Sequence, residues 1–436
     1  MNNEVDRRTV LKTTAAGTAA VALGSMATAA FTQGKQNIRV GLVGCGGRGT
    51  GAAANTLDAS PDARIVAMAD LFSDRLEGSR GHLASRGDRV AVTDDDCYVG
   101  FDAYKSLMAR DDVDMVILAT PPHFRPMQVS HAIGQGKHVF MEKPVAVDPA
   151  GIRKVMAAAD LADDKGLSIV SGTQRRHEAC YLEAMKRMQD GEIGDIVGGQ
   201  CYWNMGGLWS HAPRDEWSDT EWQLRNWLYF TWLSGDHIVE QHVHNLDAMN
   251  WAMGGHPEKV MGMGGRQSRI DSKYGHIFDH FANDYTYSEG RQVMSMCRQA
   301  VGATGRVEEH MQGTKGRAIT RSGSTRFEGG IDWRFEDDNP NPYVVEHKDL
   351  HASIRGDTPR LNEGRRIAES TLTAIMGRMS AYSGKELTWD DALNADLDMT
   401  PPQYAFVELG LPRIPRPGST KFDDELWPTT ATALHG

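Results

Sequence analysis

Val40-Gly41-Leu42-Val43-Gly44-Cys45-Gly46-Gly47-Arg48-Gly49 organises the reading of the whole chain. An apolar run from Ile38 to Val43 reads as a strand and stops at Gly44. Gly44, Gly46 and Gly49 then follow the G-x-G-x-x-G pattern, and an alanine-rich helical segment runs from Gly51 to Leu57. In such a unit the first glycine permits a tight turn. The second lets backbone approach a pyrophosphate, and the third lets the helix pack close on the strand. Free N–H groups at the helix N-terminus then face the phosphates. Gly44, Gly46, Gly47, Arg48 and Gly49 are thus the first expected contacts of a dinucleotide. In a chain with 46 glycines the pattern can also be a plain turn, so the flanking segments must support it.

The next strand, Ala63 to Asp70, ends in an acid 21 residues after Gly49. An acid at that place hydrogen-bonds the adenosine ribose and repels a 2′-phosphate. NAD is therefore expected, with NADP left open by Arg75 nearby. A helix over 101–110 leads to a buried strand, Asp114 to Thr120, closed by Thr120-Pro121-Pro122-His123. A helix over 126–135 and a strand over 137–141 end in Glu142-Lys143-Pro144; a helix over 151–165 and a strand over 167–173 follow. This alternation predicts an α/β, doubly wound parallel sheet: a Rossmann dinucleotide-binding domain over 30–174.

At 436 residues the chain is long enough for two domains. A net charge of −11 argues against nucleic acid and anionic membranes as partners. Five scattered cysteines without a C-x-x-C pair give neither a zinc ribbon nor a disulfide framework. Arg7-Arg8, an Ala/Gly-rich apolar run and Ala27-Thr28-Ala29 read in order as a Tat export signal over 1–29, cleaved near Ala29. The run is too short for a membrane anchor. A periplasmic protein that acquires its nucleotide before export is expected. Beyond residue 175, strand-like segments near 196–204, 259–264, 282–287, 292–298 and 306–312 are spaced like an antiparallel sheet. A helical run over 361–384 and a proline-rich tail follow.

The glycine loop, Asp70, Thr120-Pro121-Pro122-His123 and Glu142-Lys143-Pro144 together resemble the Gfo/Idh/MocA oxidoreductase family. Gly172-Thr173-Gln174-Arg175-Arg176 and Gly313-Thr314-Lys315-Gly316 resemble two further family segments. The resemblance covers nearly the whole chain after the signal. It implies an α+β second domain over 175–360 with a large, mostly antiparallel open sheet that binds substrate and pairs copies as a dimer or tetramer. It also implies that 361–436 packs back on the domain junction. Thr120, Pro121, His123, Glu142 and Lys143 would lie at the cofactor, with Lys143 and His244 on the proton side of the chemistry.

The family carries an acid, a histidine four residues on and an aspartate three further; here these are Glu240, His244 and Asp247. Spacings of four and three place them on one helix face. Glu240 departs from the family's usual aspartate. Oxidising a sugar hydroxyl needs a base. A partly buried lysine beside a cationic nicotinamide has a lowered pKa, and histidine titrates in range unaided. His211, His237, Glu240, His242 and His244 have metal-ligand types but no motif spacing, so no metal is expected. Six of the ten tryptophans fall between Trp203 and Trp232. Aromatic faces with polar groups between them suit a pyranose, and suit a core or an oligomer contact equally. Arg176, Trp209, His211, Arg225, Asn226 and Trp227 are the candidate substrate residues.

The function expected is a periplasmic NAD-dependent oxidoreductase acting on a sugar or glycoside ring hydroxyl, at C3, with a tightly held, internally recycled cofactor. One alternative is a redox-neutral, NAD-dependent glycoside hydrolase working by 3-keto formation and elimination. The other is a non-catalytic sugar-binding protein on the same scaffold.

Overall fold

The structure, a computed structural model, describes residues 37–427, so the expected export signal lies outside the described residues. The first half alternates as the sequence predicts: β1 (Ile38–Val43), α1 (Gly47–Ala59), β2 (Ala63–Asp70), α2 (Ser73–Leu83), β3 (Cys97–Val99) and α3 (Ala103–Met108). It continues through β4 (Met115–Leu118), α4 (Arg125–Gly134), β5 (His138–Met141), α5 (Pro149–Lys165) and β6 (Ile169–Ser171). The six strands are all parallel, in the order β3-β2-β1-β4-β5-β6. β4 and β5 are buried throughout because helices cover both faces, as in other parallel sheets. Strand order reverses between β1 and β4, and a ligand crevice opens at the carboxyl ends there.

The second half begins with α6 (Ala179–Gln189) and β7 (Ile196–Met205). Four helices follow: α7 (Asp219–Arg225), α8 (Thr231–Ser234), α9 (His237–Glu240) and α10 (Val243–Met253). Then come β8 (Lys259–Gly265), β9 (His280–Thr286), β10 (Gln292–Gln299), β11 (Arg306–Gly313), β12 (Arg317–Arg321), β13 (Ser324–Glu328) and β14 (Trp333–Arg334). The chain closes with α11 (Pro342–Arg355), α12 (Gly364–Ser383), β15 (Leu387–Thr388) and α13 (Trp389–Leu393). Nine strands form one sheet, antiparallel except where β7 pairs with β10. The expected strands are present, and Gly313 to Gly316 joins the hairpin of β11 and β12.

One face of this sheet carries α6, α10 and α12. On the other face Met263 is 70% exposed, and Met261, Met294 and Met296 are exposed beside it, uncovered among the described residues. α12 is buried on nearly all sides, packing on β8 and on α5 of the first domain, so 364–383 lies on the domain junction. α11 was not legible from periodicity. It packs on α1, placing Leu350 and Ile354 among Ile38, Leu42, Ala52 and Leu57. The Thr56 hydroxyl meets His351 Nε2 at 2.8 Å, and the His347 ring stacks on Phe140 at 4.1 Å. The first domain is thus completed by a helix from the second half. Among the described residues no helix is long and apolar enough to cross a membrane.

Candidate active site

The glycine loop has the division of labour its spacing predicts. Gly44 has φ +95°, and a Cβ there would lie 2.5 Å from Thr120 N. A Cβ at Gly49 would lie 1.8 Å from the Gly44 carbonyl oxygen. These two glycines let α1, β1 and β4 meet. At Gly46 a Cβ would meet nothing within 4 Å among the described residues; that face is open for a ligand. The Cys45 and Phe72 N–H groups donate to Asp70 at 2.6 and 2.9 Å, fixing its carboxylate at the lip of the crevice. Burial raises the Asp70 pKa, opposed by those two donors and by Arg75. A cavity of about 560 Å³ opens here, with Gly44, Gly46, Arg48, Asp70, Thr120 and Pro121 on one wall. The open Gly46 face, the free helix N-terminus and the acid at the end of β2 fit a dinucleotide.

Arg48 is braced from three sides. Its Nε donates to Glu142, its Nη2 donates to Glu346 at 3.2 Å, and its guanidinium lies 4.9 Å from the Tyr343 ring centroid. Tyr343 and Glu346 belong to α11, so sequence reasoning, which missed this helix, missed them too.

His123 does not reach the cavity, against expectation. The turn Pro122–Phe124 carries its ring toward the tail, where Nε2 meets the Tyr404 hydroxyl at 2.8 Å and the ring packs on Trp232. Burial lowers its pKa to about 4.

The expected catalytic residues converge in part. Lys143 follows β5, and its Nζ donates to the Glu240 carbonyl at 2.5 Å. Burial lowers the Lys143 pKa; Glu240 and Glu142 oppose this, while Arg48 and Arg175 add to it. Burial pushes the Glu240 carboxyl up to about 7 against the pull of Lys143 and Arg269. His244 is held well below the usual imidazole value, first by burial and then by Lys143, Arg175 and Arg48. It is therefore neutral near pH 7, stacked on Trp203 at 5.7 Å, and its Nδ1 has no hydrogen-bond partner among the described residues.

Glu240, His244 and Asp247 do not share one helix. α9 ends at Glu240, Gln241 and His242 turn the chain, and α10 starts at Val243. Asp247 points elsewhere: it accepts from Arg176 at 2.8 and 3.0 Å, from Arg366 at 3.0 Å and from Ser370 at 2.7 Å. Burial opposes its charge, but the two arginines win and hold it below the carboxylate range. Arg176 is committed to that cluster and lies over the Trp251 ring at 4.3 Å. Its neighbour Arg175 pairs with buried Glu309, which also accepts from Tyr181, Thr320 and Asn245.

Trp209, His211, Arg225 and Trp227 line the same cavity as Asp70. Asn226 is buried: its Oδ1 accepts from His211 N at 2.8 Å and its Nδ2 donates to the Lys273 carbonyl at 2.7 Å. His242 meets the Ser295 hydroxyl at 2.7 Å, and the His237 ring packs on Phe281. Among the described residues no cluster of three or more histidines, cysteines and acids could hold a metal ion.

Comparison with known proteins agrees with this architecture. Residues 38–169 match the model for an oxidoreductase family with an NAD-binding Rossmann fold, and residues 181–319 match the GFO/IDH/MocA C-terminal domain. Residues 4–24 match the twin-arginine translocation signal sequence. The chain is 28% identical over 224 residues to the 2,7-anhydro-N-acetylneuraminate hydratase of Mediterraneibacter gnavus, covering 51% of this chain and 54% of that protein. The matched stretch thus spans about half the length of that relative. A glycosyl hydrolase family 109 protein of Porphyromonas gingivalis is 23% identical over 354 residues, covering 81% of this chain and 71% of its own. An oxidoreductase from Thermotoga maritima shares the fold with a TM-score of 0.64 at 20% identity, covering 82% of this chain and all of its own. The chain belongs to the Gfo/Idh/MocA family of NAD-binding oxidoreductases.

Proposed function

We propose that this protein is a Tat-exported, periplasmic NAD-dependent enzyme that oxidises a ring hydroxyl of a sugar or glycoside, at C3. The observation that carries the reading is the convergence of Lys143, Glu240 and His244, three titratable groups shifted by burial, beside the dinucleotide crevice. Shifted groups of this kind mark sites of proton transfer. Gly44, Gly46, Gly47, Arg48, Asp70, Thr120 and Pro121 would hold the nucleotide. Both Asp70 oxygens face backbone donors, and its charge favours NAD over NADP. When bound, the nicotinamide supplies reversible two-electron acceptance from the substrate's carbinol carbon.

The chain's own residues manage the proton. Lys143 is anchored by the Glu240 carbonyl, and its lowered pKa puts more of it in the free-amine form, able to take the hydroxyl proton. Neutral His244, stacked on Trp203 and near enough to Lys143 to feel its charge, would orient the same hydroxyl or relay the proton. Glu240, pushed up to about 7, can hold or release a proton at neutral pH.

A second reading is a redox-neutral glycoside hydrolase: oxidation at C3 acidifies C2–H, a base removes that proton, the aglycone leaves, and the ketone is reduced after water adds. Glu240 favours it, because elimination needs an acid–base group beyond the one that serves oxidation. The names of the two sugar-processing relatives point the same way. The exposed methionines of the nine-stranded sheet are the proposed contact between copies, which light scattering of the purified protein tests.

The decisive experiment incubates purified protein with a glycoside panel without added NAD and follows products by mass spectrometry. A 3-keto glycoside indicates the oxidoreductase, and released aglycone with the sugar's oxidation level unchanged indicates the hydrolase. Turnover that survives Lys143→Ala overturns both.

A further inference from the structure

We propose that the tryptophan-rich segment between Trp209 and Trp227 is a cover for the adenosine half of the dinucleotide and not a wall of the sugar site. This rests on the reading of the cleft as a nucleotide site. The six parallel strands give the cleft a scale. Asp70 ends β2 and Lys143 follows β5, with β1 and β4 between them. Neighbouring strands lie about 4.8 Å apart, so the two ends are separated by roughly 14 Å.

The segment belongs to the Asp70 end. Trp209, Arg225 and Trp227 line a cavity that runs from Asp70, Phe72 and Arg75 to Thr120 and Pro121, and His211 beside Trp209 lies within reach of the Arg75 charge. The Arg225 guanidinium lies 3.9 Å from the Phe72 ring centroid and pairs with Asp74 at 3.2 Å, so it grips the start of α2 just after Asp70. Phe72 in turn stacks on Phe406 of the tail at 5.9 Å, and Phe406 packs against Phe101 at 5.5 Å. α7 and the tail thereby tie the second half of the chain onto the nucleotide domain across the mouth of the crevice.

Trp209 is the informative member. It is 45% exposed, although Trp227 and His211 lie within 6.3 Å and 5.2 Å of it. An indole left open on the wall of a cavity offers a flat apolar face. A purine fits it, because every base has a π-face and stacks on aromatic rings and on arginine. A sugar reacting at Lys143 would lie at the far end.

The test uses the full chain and ADP-ribose, which carries the adenosine half without the nicotinamide. Isothermal titration of nucleotide-stripped protein compares wild type with Trp209→Ala and Trp227→Ala, with thermal melts to verify folding. Each lost stacking face is expected to weaken ADP-ribose binding about tenfold. ADP-ribose affinity unchanged within about twofold in a folded Trp209→Ala variant overturns the cover while leaving the nucleotide reading intact. A wild type that binds neither ADP-ribose nor NADH overturns the nucleotide reading, and the cover with it.

Discussion

At one end of the cleft, Gly44, Gly46, Asp70 and Phe72 come from one strand–helix–strand unit and its next turn. At the other end, Lys143 and Glu240 lie 97 residues apart and meet only because α9 crosses to the end of β5. The first end is built by backbone shape: two glycines permit contact, one leaves space, and a carboxylate is set by two N–H groups. The second end, in the proposed chemistry, would work through desolvation: burial displaces a lysine, a glutamate and a histidine each toward its neutral form. A shape-based site fails when an atom is added. A desolvation-based site fails when a charge is removed or the pH moves.

Lys143→Ala should show the largest effect, lowering turnover roughly 10²- to 10⁴-fold while NADH still binds in a fluorescence titration. Equal loss of turnover and NADH binding would break the distinction between the two ends. The glycines test the other side. Gly49→Ala forces a Cβ against the Gly44 carbonyl and should cost about 1–3 kcal/mol in urea unfolding. Gly46→Ala should leave unfolding unchanged and weaken NADH binding instead, because its Cβ meets only the ligand's space.

Glu240→Gln sharpens the desolvation argument through its sign. The folded pKa of about 7 lies above the ordinary 4.5, so protons favour the native state. The wild type's stability from this group is full below pH 4.5 and lost as pH rises through about 7. The amide variant should therefore be the more stable protein at about pH 8, by on the order of 2 kcal/mol, with the gap closing toward about pH 5. Its activity should also lose any pH limb centred near 7; an unchanged limb would remove Glu240 from the chemistry. Asp70→Asn should give the smallest change, narrowing the preference for NAD over NADP by about tenfold in paired affinity measurements, because one charge opposite a 2′-phosphate is removed.

The first domain was legible because each of its β–α steps is local. An apolar run, a glycine or proline stop and an amphipathic helix can be read within a few tens of residues. α11 was not, since its apolar side matches a groove on α1 that lies almost three hundred residues earlier. The spacing of Glu240, His244 and Asp247 suggested a continuous helix, but the turn at Gln241 and His242 interrupts it. Arg176 and Arg366 then claim Asp247. His123 was expected at the cofactor because Thr120-Pro121-Pro122-His123 resembles a family segment. The ring's direction was set by Tyr404, 281 positions away. The tryptophans were visible as a cluster, but no local pattern encodes which end of a cleft a cluster will face.

Local order along the chain was enough to specify a dinucleotide-type loop, an acid at the end of the second strand, a lysine after the fifth strand and an export signal. Each depends on residues near one another in sequence, where backbone geometry and period carry the information. Which acids keep their charge, which histidine sits beside the lysine and where the tryptophans lie depend on what is packed against them. Burial and long-range ion pairing set those properties, and they come into being only when distant segments close on one another.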